Sequence, residues 1–132
     1  MAHYYFGKVI NLTPHVLNVR GKGDQMVEIP PSGQIARVAE EIKFRYSVVA
    51  NNAEFGVVGK VFGHITGLPE VLQTDTMYVV SGQLLAAIKV ERDGPYRSCY
   101  DTEDGIPALF VSPGSLIRDE HGKVIGCDGF TE

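Results

Sequence analysis

Side chains between residues 55 and 65 alternate with a period of two. Val57, Gly59, Val61, Gly63 and Ile65 fall on one face, and Val58, Lys60, Phe62 and His64 on the other. That period is a strand's, and two glycines on one face mean that something packs close to the backbone there or that the strand bends. Elsewhere the runs are shorter. Residues 7–12 read as a strand broken at Thr13-Pro14, and residues 15–20 and 25–29 flank Gly21-Lys22-Gly23-Asp24 as a β-hairpin. Pro30-Pro31-Ser32-Gly33 closes that hairpin, because proline does not serve a central ladder. Residues 34–38 read as a third strand, residues 40–50 fit either a strand or a helical turn, and Asn51-Asn52 marks a reversal.

Residues 77–80 form a buried-looking strand, and Ser81 after them is placed to cap a helix over residues 83–92. Leu84, Leu85 and Ile88 give that helix its apolar stripe, Lys89 and Arg92 suit its C-terminal end, and Asp93-Gly94-Pro95 stops it. Residues 97–105 read as a polar loop, residues 108–111 as a strand and Ser112-Pro113-Gly114 as a turn. Residues 115–118 and 123–127 flank Asp119-Glu120-His121-Gly122 as a last hairpin. The reading is one mainly β (α+β) domain over residues 1–132. It predicts about eight short strands in a small barrel or two-sheet sandwich, with one helix near residues 82–92.

Composition narrows the class. The 132 residues suit a single core, and 44% hydrophobic with 21% charged residues is ordinary globular usage. A formal charge of −4 with scattered basic residues lacks the electrostatic footprint of a nucleic-acid binder. No apolar run is long enough for a membrane helix, and the opening residues lack the basic and apolar regions of a signal peptide. The expectation is a cytoplasmic protein with Cys99 and Cys127 free.

The segments Asn11-Leu12-Thr13-Pro14-His15, Pro30-Pro31-Ser32-Gly33 with Arg37, and Leu68-Pro69-Glu70 run in order along the chain. Tyr78-Val79-Val80-Ser81, Ser112-Pro113-Gly114, and Arg118-Asp119 with Gly122, Gly126 and Cys127 follow them. In this order the chain resembles a small family of bacterial and phage proteins that has no settled activity. The resemblance spans nearly the whole chain. It implies a virion component or a counter-defence protein, and makes the helix-opening Ser81 and the Thr13-Pro14-His15 segment natural candidates for a site.

Pro14 kinks its strand, and the kink either aims Thr13 and His15 into a pocket or simply bends an edge strand. Ser81-Gly82-Gln83 opens the helix, where free N–H groups and the positive end of the dipole favour an anion. Capping by Ser81 explains the same residues without a ligand. Arg37, Arg97 and Arg118 carry planar forks for phosphate or carboxylate. Arg37 is the foremost, because it shares a strand face with Ile35 that should be partly buried. The candidate ligand-binding set is therefore Thr13, His15, Arg37, Ser81, Gly82, Gln83 and Arg118.

Other chemistries lack their residues. The four histidines and two cysteines have no metal-ligand spacing, and Ser112 stands where a calcium loop begun at Asp101 needs its bidentate acid. There is no nucleophile elbow, phosphate loop or dinucleotide fingerprint, so no cofactor is expected. A pairing of Ser81 with His15 or His64 is defined by geometry rather than by spacing.

Three functions follow, in order. The first is a non-catalytic binder of a small anionic ligand such as a nucleotide, which in a phage would sequester a host signal. The second is a virion protein or other assembly module that shares sheet edges, for example through the hairpin around residues 18–27. The third is a small hydrolase using Ser81 or His15. A homo-oligomer is expected from the number of strand edges, with twofold symmetry the commonest form.

Overall fold

Chain reversals occur where small polar residues accept a left-handed backbone. The computed structural model describes residues 5–91, 99–100 and 108–132. Asn51 and Asn52 have φ of 51° and 62°, and Gly23 and Asp24 have φ of 92° and 66°. The asparagine pair is the two-residue turn whose twist matches its flanking strands. Asp119 shapes the last reversal: its Oδ1 accepts hydrogen bonds from the N–H of His121 (2.9 Å) and of Lys123 (3.0 Å).

Between these turns run β1 (Lys8–Asn11), β2 (Leu17–Arg20), β3 (Met26–Ile29), β4 (Arg37–Ala50) and β5 (Ala53–Thr66). There follow β6 (Thr76–Val79), α1 (Gly82–Glu91), β7 (Cys99–Tyr100), β8 (Ala108–Arg118) and β9 (Val124–Thr131). Six strands form one nearly closed, barrel-like sheet in the order β1-β6-β8-β9-β2-β3, with β7 added on β8. β4 and β5 form a separate two-stranded sheet.

Parallel neighbours need a long connection, and α1 lies within the one between β6 and β8. Ser81 caps it as expected, its Oγ accepting the N–H of Leu84 at 3.2 Å. Leu84, Leu85 and Ile88 turn inward and meet Leu12, Tyr78, Val80, Ala108 and Phe110 in the core. Tyr78 and Phe110 are register partners on β6 and β8, and their rings stack with centroids 5.2 Å apart. The fully buried Tyr78 hydroxyl accepts the N–H of Gln73 at 2.8 Å, so its polar end is satisfied.

The structure corrects three readings. Ser112-Pro113-Gly114 is no turn: β8 continues through it from Ala108 to Arg118. Its first part pairs in parallel with β6 and its second antiparallel with β9, so one strand serves both halves of the barrel. Gly114 is there for close approach, since a Cβ on it would run into the carbonyl oxygen of Asp128. Residues 34–38 and 40–50 are not separate elements either. A single strand, β4, begins at Arg37 and ends at Ala50. Finally, β4 and β5 are not short, at 14 residues each. Arg92, Arg97 and the acidic run at residues 101–104 lie outside the described residues.

Among the described residues no helix is long and apolar enough to cross a membrane. Cys127 is a free, buried thiol that donates to the carbonyl of Gly129 at 3.7 Å. Arg20 on β2 reaches Asp128 on β9 at 3.2 Å, and this hydrogen bond and the carboxylate charge hold its guanidinium above its ordinary pKa.

Replacing Gly114 tests the strand assignment. Gly114→Ala should lower stability by about 1–3 kcal/mol in urea unfolding, the cost of overpacking a closed site. In a turn with open space the same change would be close to neutral.

Candidate functional site

The sequence-predicted residues separate into three places. Thr13 is buried beside Asn11, which is 1% exposed. Asn11 Oδ1 accepts both the N–H (2.9 Å) and the hydroxyl (2.7 Å) of Thr13. Its Nδ2 donates to the carbonyls of His15 (2.8 Å) and Ile29 (3.2 Å). The Thr-Pro-His kink is thus a folded-in polar knot that ties β1 to the end of β3. The His15 imidazole points away from it and is exposed. Asn11 is the organising residue that sequence reasoning missed. An asparagine inside an apolar run beside a proline was the available signal.

Arg118 donates Nη1–H to the carbonyl of Gly122 at 2.9 Å, within its own hairpin turn. It lies away from the other candidates and steadies the turn.

Arg37, Ser81 and Gln83 do come together. With Pro14, Ile35 and Val38 they line a cleft of about 220 Å³ between the start of α1 and the base of β4. Of the face expected to be partly buried, Ile35 is 36% exposed and Arg37 is exposed. Both residues are exposed, and Ala36 between them is the one turned into the core. The reason is local: the Ala36 N–H bonds the carbonyl of Leu12 at 2.9 Å, which fixes its side chain inward and its neighbours outward. Gly82 does not line the cleft. Among the described residues no group of three or more His, Cys, Asp or Glu is placed to hold a metal ion.

The third place is one that the candidate set omits. Beyond its base, the β4–β5 hairpin leaves the rest of the fold: every residue from 39 to 56 is exposed. Its base is held by Val38 and Ile65 against the core and by a 2.7 Å bond from Gln34 Nε2 to the carbonyl of Gly67. Pairing puts Glu40 opposite Phe62, Ile42 opposite Lys60, Phe44 opposite Val58 and Val49 opposite Glu54. These pairs share one face, so Phe62, Ile42, Phe44, Val58 and Val49 make an apolar row along the arm. Ile42, Phe44 and Val49 are 68%, 66% and 76% exposed.

Of the charges on that face, Lys60 Nζ stands 3.4 Å from Glu40, and Glu54 lies exposed near the tip. On the opposite face, the close approach expected at the two glycines is made by the arm itself. A Cβ on Gly59 would meet the Arg45 guanidinium, and one on Gly63 would meet Ala39 at 3.2 Å. Near the tip that face is also apolar, with Tyr46, Val48 and Phe55 exposed.

Two substitutions separate the polar knot from a binding pocket. Asn11→Ala removes the acceptor of the buried Thr13 N–H and hydroxyl and the donor to the part-buried carbonyls of His15 and Ile29, and should cost about 1–3 kcal/mol. His15→Ala should change stability by less than about 0.5 kcal/mol, as for an exposed side chain without partners of its own. Thermal or urea unfolding of both variants checks the contrast.

No protein-family model, no curated protein and no solved structure matches this chain.

Proposed function

We propose that this protein is a self-assembling structural subunit whose β4–β5 arm joins one copy of the chain to another. The observation that carries this reading is the row of large apolar side chains standing in water along a two-stranded ribbon. A hairpin without a third layer is marginally stable in water, and contiguous apolar patches of this kind mark interaction surfaces. Among the described residues no strand pairs with either outer edge of the arm, which suits sheet extension between copies. Solubility alone would favour polar residues at Ile42, Phe44 and Val49.

A second reading rests on the cleft at the arm's base, where Arg37 at the start of β4 meets Ser81 and Gln83 at the start of α1. An anion of phosphate or carboxylate type would meet a guanidinium and a helix start there. Native mass spectrometry of the purified protein tests it: a small anion bound to the wild type and lost from Arg37→Ala would support it. An empty wild-type protein would end it.

For the assembly reading, the wild type should sediment as a discrete oligomer or longer polymer. Ile42→Asp with Phe44→Asp should sediment as a folded monomer with an unchanged far-ultraviolet spectrum. A wild type that stays monomeric at high concentration would rule the reading out.

A further inference from the structure

The two outer edges of the arm are not equivalent. Between Phe44 and Tyr46 the extra residue lies in β4, at Arg45, in the middle of that strand. Between Ile65 and Phe62 it lies in β5, where Gly63 and His64 face Ala39 alone, close to the base. β5 therefore keeps a regular edge from Ala53 to Phe62, and β4 has no run as long. We infer that two copies join through these β5 edges, antiparallel about a twofold axis at Val57, so that two arms become one four-stranded sheet. This rests on the assembly reading above and names the edge, direction and register of the contact.

The backbone permits this register. Ala50 and Ala53 flank the two-residue turn and form its hydrogen-bonded pair, so residues 53, 55, 57, 59 and 61 turn their N–H and C=O groups toward β4. Those of residues 54, 56, 58, 60 and 62 face outward. About Val57, Glu54 of one copy falls opposite Lys60 of the other, and Gly56 opposite Val58. Outward groups thus meet outward groups, with about eight hydrogen bonds between the copies.

The side chains match in the same register. Glu54 is exposed and, among the described residues, has no ion pair in its own chain. The Lys60 side chain is 68% exposed beside Glu40, with room for a second carboxylate. Opposed across the axis, Glu54 and Lys60 make two equivalent pairs of opposite charge. On the same face Val58 meets Gly56 of the second copy and packs against the Phe44 ring that lies over that glycine. On the other face the exposed Phe55 meets Gly59, over which the Arg45 guanidinium lies. Neither glycine has a side chain to compete with the large residue opposite it, and the guanidinium gives the Phe55 ring a cationic partner.

The occupant is a second copy because the edge is complementary to itself. It carries an acid three residues before Val57 and a base three residues after it, so it matches its own reverse. Sliding one strand by two residues keeps the backbone pairing but sets Glu54 opposite Val58 or Phe62 instead. In the matched register Asn52 falls opposite Phe62, so the tip of each arm stops short of the other's base at Ile65. A contact of this kind uses the same patch on both partners and closes as a dimer. It also raises the arm from two strands, which are marginal alone, to four.

Charge reversal tests the register. Glu54→Lys sets like charges opposite each other at both ends, as does Lys60→Glu, and each variant alone should dimerise about tenfold or more weakly than the wild type. Mixed in equal amounts, the two restore opposite charges at both positions and should form a one-to-one heterodimer of wild-type strength in native mass spectrometry. Circular dichroism checks that each variant is folded. Val57→Cys gives a second reading that no charge change disturbs. Position 57 faces itself across the axis at a spacing that a disulfide spans, so this variant should oxidise to a covalent dimer, while Val58→Cys and the wild type stay uncrosslinked.

Charge variants that dimerise like the wild type overturn the inference. So does a mixture no tighter than its components, or a Val57→Cys protein that stays uncrosslinked. With an assembled wild type, any of these leaves the assembly reading standing. A monomeric wild type removes both.

Discussion

Two antiparallel strands have no third layer behind them, so each side chain beyond the base of β4–β5 faces outward on one side of the ribbon or the other. That constraint governs the rest of this protein's organisation. The barrel has a core of its own: Tyr78, Phe110, Leu84 and Ile88 are fully buried, and the buried asparagine near the Thr-Pro-His kink has its partners. The arm has no such recourse. Its five-residue apolar row is stable in water only to the extent that another surface removes it from solvent. The barrel's part is to hold the arm rigidly at its base, through Val38 and Ile65 in the core and through Gln34 on the carbonyl of Gly67.

The anchoring explains why the buried polar network sits where it does. Asn11 ends β1, and from that point the chain must turn through Pro14 into β2 while residues 30–36 cross back over it. Ser32 and Ala36 donate to the carbonyls of Asn11 and Leu12 at 3.0 and 2.9 Å. Asn11 gathers the remaining carbonyls. A polar side chain at this crossing replaces backbone partners that no regular ladder supplies. The Arg37–Ser81–Gln83 cleft follows from the same crossing, because the chain enters β4 beside the start of α1.

Much of the architecture was legible in the chain. Period-two alternation identified β5, the Asn51-Asn52 pair fixed the tight turn before it, and Ser81 marked the helix start. What failed did so for physical reasons. Residues 40–50 carry a bulge between Phe44 and Tyr46, which breaks the alternation and makes β4 look helical or irregular. Pro113 and Gly114 are turn residues by chemistry. Here they mark the point where β8 passes from one half of the barrel to the other, with Gly114 pressed against the Asp128 carbonyl. The candidate set sought anion-binding side chains and therefore left out the exposed apolar row of the arm. Exposure is a property of three dimensions, and an alternating strand reads the same whether its apolar face meets a core or water. The hairpin around residues 18–27 was the expected assembly element; it exposes Met26 and Val27, and the longer arm exposes a longer apolar row.

Amide hydrogen exchange of residues 39–56, followed over a dilution series, probes the central claim most directly. If another copy covers the arm, its amides are protected at high concentration and lose that protection on dilution, while the β6 and β8 amides stay protected throughout. Arm amides that exchange at one fast rate at every concentration, beside an equally protected barrel, would contradict it.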